Sequence, residues 1–220
     1  MIQLPDFDQA WTYENNFYLS CDITRISKLL AAYELYKMAL DLPGQVVECG
    51  VFKGASLSRF ALFRSLLGNV YSKKVVAFDI FGKFPETTFQ DDIKTREEFI
   101  QEAGDQSISV EQMREVLDRR GIGQNVDLVS GDITVTVPEY VRSHPELKIS
   151  ILNLDTDIYE PAVTILEHLF PRIVRGGILI LDDYATFPGE TKAVDDYFRD
   201  TGVRVRKFPF AMTPSYVVKD

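Results

Sequence analysis

The feature that most restricts the fold is the alternation of short apolar runs with helical segments from about residue 25 onward. Each run is rich in β-branched residues, and consecutive runs are separated by enough chain for a crossover helix. This alternation predicts an α/β protein with a largely parallel sheet. The five predicted parallel strands are QVVEC, KKVVAFD, NVDLVS, KISILNLD and GGILILD.

Helical periodicity fills the intervals between these strands. Besides an N-terminal helix, it predicts helices over residues 55–67, 109–120 and 159–173. We interpret the apolar stripes of these helices as core packing. The stripe residues are Ile26, Leu29, Leu30 and Tyr33; Val110, Met113, Val116 and Leu117; and Ala162, Val163, Leu166, Leu169 and Phe170.

Two regions depart from this rhythm. A helix at about 190–200 is followed by VRVRKFPF and PSYVVKD, which we expect to close the sheet as an antiparallel pair. Residues 80–108 have no regular apolar period throughout, which is typical of a lid or binding loop with some helix in it. We predict a single domain over 1–220, with 1–40 forming a segment and helix over the site and 80–108 forming a lid-like insertion.

Charge and composition exclude several partners. The net charge of −9 disfavours nucleic acid and anionic membranes and is compatible with a metal ion or a cationic cofactor. No apolar run approaches the roughly 20 residues of a membrane span, and the N-terminal sequence lacks a signal-peptide pattern, so we expect a cytoplasmic protein. Cys21 and Cys49 are too few for a disulfide framework.

A glycine-rich turn follows the first strand in VVECGVFKGASLSRF. Gly50 and Gly54 allow a tight turn whose backbone N–H groups face a ligand, and the next helix points its positive end to the same place. Because Glu48 would repel a phosphate, the turn suits a ligand with a positive charge and no phosphate. A turn that needs glycine only for packing is the alternative, since the dinucleotide-binding G-x-G pair is missing.

Acids also end the second and third strands. Asp79 is placed to accept hydrogen bonds from a ribose diol, and Asp132 to accept one from an adenine amino group. For Asp132, a cap on the helix predicted to begin at 134 is the alternative. Since successive strand ends line one rim of the sheet, Glu48, Asp79 and Asp132 favour one ligand site.

The fourth and fifth strands both end in carboxylates, and neighbouring strands would bring Asp155 beside Asp182 and Asp183. Three carboxylates within about 4 Å repel one another by several kcal/mol per pair, so they take up protons or hold a cation. Oxygen-only ligands indicate Mg²⁺ ahead of Mn²⁺ or Ca²⁺. Asp157 and Glu160 are less constrained, and the helix dipole accounts for Glu160.

Together these segments resemble the macrocin O-methyltransferase family, Mg²⁺- and S-adenosylmethionine-dependent enzymes that methylate sugar hydroxyls of macrolides and related natural products. The resemblance covers about residues 20–200 and is most specific in LNLDTDIYEP and GGILILDDY. It implies a Rossmann-like class I methyltransferase fold, with a seven-stranded, mostly parallel sheet, helices on both faces and a lid insertion. It also implies a sugar or glycoside as the acceptor, with a homodimer as one option for assembly.

Residue roles follow from matching the family's motifs position by position. The residues assigned to S-adenosylmethionine are Glu48, Gly50, Gly54, Ser56, Asp79, Gly131, Asp132, Arg25 and Thr24. Among them, Asp79 would hold the ribose, Asp132 the adenine side and Arg25 the carboxylate, with a surface position as the alternative for Arg25. The metal ligands would be Asp155, Asp182 and Asp183. Asp155 or Asp157 would accept the proton.

The general base is left open by two departures from the relatives. Catechol-type relatives carry a lysine where this chain has Ile158, and the lid-like segment contains no histidine. His144 precedes the fourth strand and His168 falls within a helix, so surface or packing roles suit both. The phenylalanines of the segment would close over the acceptor or pack against another subunit.

Three other interpretations compete with a methyltransferase. Asp155-x-Asp157 matches the DxD of metal-dependent glycosyltransferases, although that class does not explain the turn beside Glu48. A haloacid-dehalogenase-type phosphatase would need Thr or Val where Tyr159 stands. The third is a protein that binds S-adenosylmethionine without catalysis.

Overall fold

A seven-stranded sheet organises the chain. The computed structural model describes residues 2–220 and orders the strands β3-β2-β1-β4-β5-β7-β6. Strands β1 to β5 are parallel, β7 is antiparallel to β5, and β6 is antiparallel to β7. The strands are β1 Gln45–Cys49, β2 Val75–Asp79, β3 Val126–Ser130, β4 Ile149–Leu154, β5 Ile173–Leu181, β6 Arg206–Lys207 and β7 Ser215–Val218. The predicted α/β class, the five parallel strands and the antiparallel closing pair are confirmed.

Helices cover both faces of this sheet. Those within the described residues are α1 Ala10–Ser20, α2 Ile23–Met38, α3 Ala55–Leu67, α4 Gln90–Ala103, α5 Val110–Arg119, α6 Ile133–Ser143, α7 Tyr159–His168 and α8 Pro188–Phe198, with a short 3-10 turn at Phe170–Arg172. None of them is both long and apolar enough to cross a membrane.

Two apolar cores lie on opposite faces because successive strand side chains point to opposite sides. Along β1, Val47 and Cys49 pack with α6, α7 and α8, whereas Val46 packs with α2, α3 and α5. The same alternation continues along β4 and β5, where every residue from Ile178 to Leu181 is buried. Burial on both faces explains why these strands read as continuous apolar runs in the sequence.

The N-terminal helix is present as α2, and Leu29 and Tyr33 of the predicted stripe pack against the core, but the most buried face lies beside that stripe. Leu30, in the middle of that stripe, is 50% exposed. The buried residues are Ser27, Ala31, Ala32, Leu35 and Tyr36. Ser27, Ala31 and Ala32 weaken the apolar signal of this face, so the prediction selected the larger residues beside it. The preceding helix α1 buries no residue, and its Trp11 is 79% exposed.

The 80–108 segment contains α4, whose buried residues are polar. They are Asp92 and Arg96. The Asp92 carboxylate accepts the backbone N–H of Tyr159 at 2.9 Å and of Gly189 at 2.7 Å, in the first turns of α7 and α8. Arg96 donates to the Pro85 carbonyl at 2.7 Å. A helix anchored through polar groups shows no hydrophobic period, which is why the sequence did not define it.

A second contact joins the 80–108 segment to α7, and here the acceptor lies on α7 and the donors lie in the segment. Glu160, at the start of α7, accepts the Thr87 hydroxyl at 2.9 Å and the Thr88 backbone N–H at 2.7 Å. Its position suits the helix dipole as predicted, but the contact with the 80–108 segment was not foreseen. Phe89 stacks on Tyr159 with ring centroids 4.9 Å apart, so this phenylalanine packs within the chain.

We expect Asp92→Ala to lower the free energy of unfolding by about 2–4 kcal/mol, because two N–H groups at helix starts, one buried and one partly buried, lose their acceptor. Urea denaturation measures this loss, and limited proteolysis reports whether residues 80–108 become susceptible. Asp91→Ala is the matched control, since Asp91 lies beside Asp92 in the same turn of α4 but is exposed. Equal stability of the two variants would contradict the anchoring role.

The two edges of the sheet are protected. At one edge β6 has only two residues, Arg206 and Lys207, and both are exposed. At the other edge, the Arg114 side chain of α5 donates to the Val126 carbonyl of β3 at 3.1 Å. Short length and basic side chains are common protections of edge strands.

Candidate active site

The candidate site lies at the carboxyl ends of β1, β4 and β5. From β1 the chain continues to β2 and β3 on one side, while β4 and β5 lie on the other. The boundary between β1 and β4 is therefore the topological switch point, where ligands bind in open α/β sheets. The loops that leave β1 and β4 begin at Gly50 and Asp155.

Backbone hydrogen bonds continue past the strand ends and align the acids. The Asp155 N–H donates to the Cys49 carbonyl at 2.9 Å, and the Asp182 N–H donates to the Leu154 carbonyl at 3.0 Å. Carboxylate oxygens of Asp155, Asp182 and Asp183 lie within 4.8 Å of one another. The structure thus brings together the three acids that the sequence selected.

The grouping of these acids changes their electrostatics. Burial raises the pKa of Asp155 well above its usual value, and the neighbouring Asp182 raises it further. Burial and then Asp157 raise the pKa of Asp183 in the same way. Because like charges in a poorly solvated space disfavour ionisation, a bound proton or cation would stabilise this cluster of carboxylates.

Asp157 belongs to the same group. Burial and then Asp155 raise its pKa to about 8, while the neighbouring Asp183 side chain acts to lower it. Its backbone has a φ of +62°, in the left-handed region, and the Ile158 N–H reaches back to the Thr156 carbonyl at 2.6 Å. A non-glycine residue held in this conformation is characteristic of functional turns.

Glu190 of α8 links the two acidic loops, and the sequence analysis did not select it. It is fully buried; its Oε1 accepts the Asp183 N–H at 3.0 Å, and its own N–H donates to the Asp157 carbonyl at 3.2 Å. Burial and then Asp183 raise its pKa well above the usual value. The only sequence signal was an acid in the first turn of a helix, which the dipole already explains.

Lys28 of α2 is the second residue that the sequence analysis missed. Its ammonium group forms an ion pair with Asp182, and the two side chains are 21% and 8% exposed. Burial acts to lower the pKa of Lys28, but Asp182 and then Asp155 act against it, and the net pKa is raised. A lysine one helical turn before the buried Ala31 and Ala32 was the available signal.

The glycine turn contacts the acid cluster directly. Gly50 has a φ of +95°, and a Cβ added there would overlap the Asp155 carbonyl oxygen. Gly54, with a φ of +84°, is the N-cap of α3 and packs on the Met113 side chain. Glycine is thus required at position 50 by close approach as well as by conformation.

Glu48 lies beside this turn, buried in β1. Its Oε1 accepts the Ser56 hydroxyl, and its Oε2 has no hydrogen-bond partner within residues 2–220. Burial raises the pKa of Glu48 to about 8, against the lowering effects of Ser56 and Arg59. A cavity of about 10 Å³ is lined in part by Ser56, Arg59, Lys28 and Asp182.

Asp79, at the end of β2, is buried and heavily bonded. Its carboxylate accepts N–H groups of Val51 at 2.7 Å, Phe52 at 3.1 Å and Phe81 at 2.6 Å, and the Ser107 hydroxyl at 3.0 Å. Four donors match the acceptor capacity of a carboxylate. In this structure Asp79 fixes the glycine turn, and a bond to a ribose would have to replace one of these donors.

The remaining predicted cofactor residues lie at the rim. Asp132 is the exposed N-cap of α6 and accepts the Thr134 N–H at 2.8 Å through one oxygen, as its alternative interpretation expected. The Gly131 N–H donates to the Asp79 carbonyl at 3.0 Å, which joins the ends of β2 and β3. Thr24 and Arg25 are both exposed at the start of α2. Their roles toward a cofactor stay predictions.

A pH dependence of stability follows from Glu48. Because the pKa of Glu48 is about 8 in the folded protein, against 4.5 for an unperturbed glutamate, the folded state binds an extra proton between these pH values. The free energy of unfolding should therefore fall as pH rises from 5 to 8, by up to about 1.4 kcal/mol per pH unit from this group. Arg59, Asp182 and Asp79 are the charged groups that face it.

Urea denaturation at pH 5, 6, 7 and 8, in EDTA, tests this dependence. Glu48→Gln keeps the acceptor for Ser56 and removes the titrating group, so its stability should fall less steeply over this range. Parallel pH profiles for the two proteins would show that Glu48 does not take up a proton on folding.

The strand order, the switch-point site and the structural neighbours define a class I methyltransferase fold. The calicheamicin methyltransferase superimposes with a TM-score of 0.80 at 27% identity, covering 98% of this chain and 86% of that one. The O-methyltransferase NovP superimposes with a TM-score of 0.74 at 23% identity, covering 90% and 81%.

The chain belongs to the macrocin-O-methyltransferase (TylF) family, whose profile matches residues 22–208. A tetracenomycin-C 4'-O-methyltransferase of Streptomyces olivaceus that acts on a dimethoxyrhamnosyl derivative is 31% identical over 162 residues, 73% of this chain. The mycinamicin III 3''-O-methyltransferase of Micromonospora griseorubida is 29% identical over 160 residues, 71% of this chain. These matches span 60% and 61% of the relatives' own lengths.

Proposed function

We propose that this protein is an S-adenosylmethionine- and Mg²⁺-dependent O-methyltransferase that acts on a hydroxyl of a sugar or a glycosylated natural product. The observation that carries the proposal is the contact between the two halves of the site. Gly50 of the glycine turn lies against the backbone of Asp155, which belongs to the carboxylate triad. A cofactor on the turn and a metal on the triad would thus be neighbours.

The residues present fit a magnesium ion. Three carboxylates offer only oxygen ligands, as Mg²⁺ prefers, and burial raises the pKa of Asp155 and of Asp183 in the metal-free protein. The buried Glu190 Oε2 has no hydrogen-bond partner within residues 2–220, so one more carboxylate oxygen stands near the triad. We infer that Asp155, Asp182 and Asp183 hold the metal and that Glu190 orients Asp183.

The residues around the turn suit the amino-acid end of S-adenosylmethionine, which carries an ammonium group and a carboxylate. An ammonium group would favour the ionised form of Glu48, which would then supply the negative side, and the partnerless Oε2 is available to it. Arg59 and Ser56 line the adjacent cavity and suit the carboxylate. Arg59 is a better candidate for this than Arg25, which is exposed. Asp79 and Asp132 remain candidates for the ribose and the adenine.

In the proposed reaction, the chain aligns an acceptor hydroxyl with the methyl group for an in-line displacement. A bound Mg²⁺ would orient the hydroxyl and lower its pKa. Asp157 stands beside Asp183, on the turn that follows β4, and is the candidate that accepts the proton. Residues 80–108, fixed on α7 and α8 through Asp92 and Glu160, form the cover that excludes water.

The acceptor class rests on the relatives. The tetracenomycin and mycinamicin enzymes are described as methylating positions of sugars carried by natural products. The calicheamicin enzyme is described as a TDP-rhamnose 3'-O-methyltransferase, which acts on a nucleotide sugar. Both kinds of acceptor contain a sugar hydroxyl, so a panel should include free nucleotide sugars and completed glycosides.

Calorimetric titration with S-adenosylhomocysteine, with and without Mg²⁺, tests the proposal first. We expect binding, followed by Mg²⁺-dependent methyl transfer to a member of the panel that EDTA abolishes. Absence of binding would overturn the methyltransferase and the non-catalytic binder together. If the protein binds a nucleotide sugar but does not bind S-adenosylhomocysteine, a glycosyltransferase is favoured. If it binds S-adenosylhomocysteine but methylates no member of the panel, the non-catalytic binder is favoured.

A further inference from the structure

A lysine lies inside the carboxylate cluster and comes from a different part of the chain. Lys28 on α2 forms an ion pair with Asp182, 154 residues away in sequence. Its side chain is only 21% exposed and that of Asp182 only 8%, so water screens this pair weakly. This is unlike the remaining salt bridges of the described residues, each of which has at least one side chain more than 30% exposed.

The positive charge of Lys28 interacts with the whole carboxylate cluster. Asp155 and Asp183 act on it electrostatically besides Asp182, and Glu190 of α8 also senses it. The ammonium group thus lies among the same carboxylates that would bind a metal. A divalent ion in contact with these oxygens and an ammonium group on Asp182 would repel each other strongly at such short range.

We propose that Lys28 is a tethered internal cation that competes with the divalent metal and leaves Asp182 when the metal binds. The proposal rests on the metal site of the proposed function and adds a residue that controls its affinity. Without metal, Lys28 compensates part of the negative charge and keeps the strand ends together. When the metal binds, the ammonium group moves away from Asp182, and the start of α2 moves with it.

Binding of Mn²⁺, measured by electron paramagnetic resonance on the full chain, tests the competition without reference to activity. We expect Lys28→Met to bind Mn²⁺ at least tenfold more tightly than the unmodified protein, a gain of about 1.4 kcal/mol. Lys37→Met is the matched control. It removes the same charge from the same helix nine residues further on, where Lys37 is 41% exposed and paired with Glu34, and it should leave the affinity unchanged.

Equal or weaker Mn²⁺ binding by Lys28→Met would overturn the proposal, because Lys28 would then be a bystander or a fixed support of the ligands. If the methionine variant does not fold, Lys28→Gln preserves the polar chain and carries the same expectation. Binding of S-adenosylhomocysteine separates this outcome from a failure of the proposed function. If the protein binds S-adenosylhomocysteine and Mn²⁺, but Lys28→Met leaves the Mn²⁺ affinity unchanged, only the competition is refuted.

The second measurement follows Lys28 itself. Acetic anhydride labelling with mass spectrometry should show slow acetylation of Lys28 in EDTA and acetylation at least several-fold faster in saturating Mn²⁺, because the amine leaves its carboxylate. Lys37 in the same sample is the internal reference. A metal-independent rate at Lys28, under conditions where Mn²⁺ is bound, would contradict its displacement.

Discussion

Replacing Asp155 with Asn is expected to lower kcat/KM for methyl transfer by about 100- to 1,000-fold, the range seen when one preorganised electrostatic group is removed. Asp155 lies between the glycine turn and the other two carboxylates, so its loss removes a central oxygen ligand. Binding of S-adenosylhomocysteine should change little, because Asn retains the backbone contact with Gly50. Mn²⁺ binding should weaken in parallel with activity.

Stability should respond differently from activity in this variant. Burial and Asp182 raise the pKa of Asp155, so in the metal-free protein its neutral form is favoured, and Asn resembles that form in size and charge. We expect no loss of stability in EDTA. Asp127→Asn, at a partly exposed acid of β3 paired with Lys74, is the matched control for a lost carboxylate. Near-normal turnover and Mn²⁺ binding in Asp155→Asn would refute the metal role of the triad.

Gly50→Ala is expected to have the largest effect on the fold and on both halves of the site. The added methyl group would overlap the Asp155 carbonyl, and the φ of +95° is strained for alanine in addition. Since backbone atoms on adjacent strands cannot yield cheaply, we expect a loss above about 4 kcal/mol or no soluble folded protein. Any folded fraction should bind neither S-adenosylhomocysteine nor Mn²⁺ with normal affinity.

Two other glycines separate strain from overlap. Gly202→Ala also places alanine at a positive φ, but nothing lies within 4 Å of the added atom, so we expect only about 1–2 kcal/mol of strain. Gly54→Ala meets the end of the flexible Met113 side chain at 2.7 Å and should fall between the two. Denaturation curves give the ranking. Equal losses for Gly50→Ala and Gly202→Ala would show that the two strand ends can separate easily.

The central sheet and the triad could be predicted because their signals are local. The strands β4 and β5 are largely buried apolar runs, and Asp155, Asp182 and Asp183 directly follow them. Parallel strands end on the same edge, so the convergence of the acids follows from topology. The strand β5 begins earlier than predicted, at Ile173, because Gly176 and Gly177 lie within it and resemble a turn.

The remaining parts of the site depend on contacts that no local pattern records. Lys28 reaches Asp182 only because α2 packs across the sheet, and Glu190 reaches Asp183 only because α8 turns back on β5. Helix α4 was not defined because its buried side chains, Asp92 and Arg96, are charged. Hydrophobic periodicity identifies surfaces that exclude water, whereas these contacts are made by polar groups that replace water with other polar groups of the chain.

The two-residue strand β6 has a consequence for how copies of this chain can associate. A strand with two exposed basic residues offers few backbone pairs and repels an identical edge, which disfavours extension of the sheet into a second molecule on that side. The opposite edge is occupied in part by the Arg114 side chain. Self-association through continued β-pairing is thus disfavoured at both ends, and a quaternary structure built from this chain would use its helical surfaces.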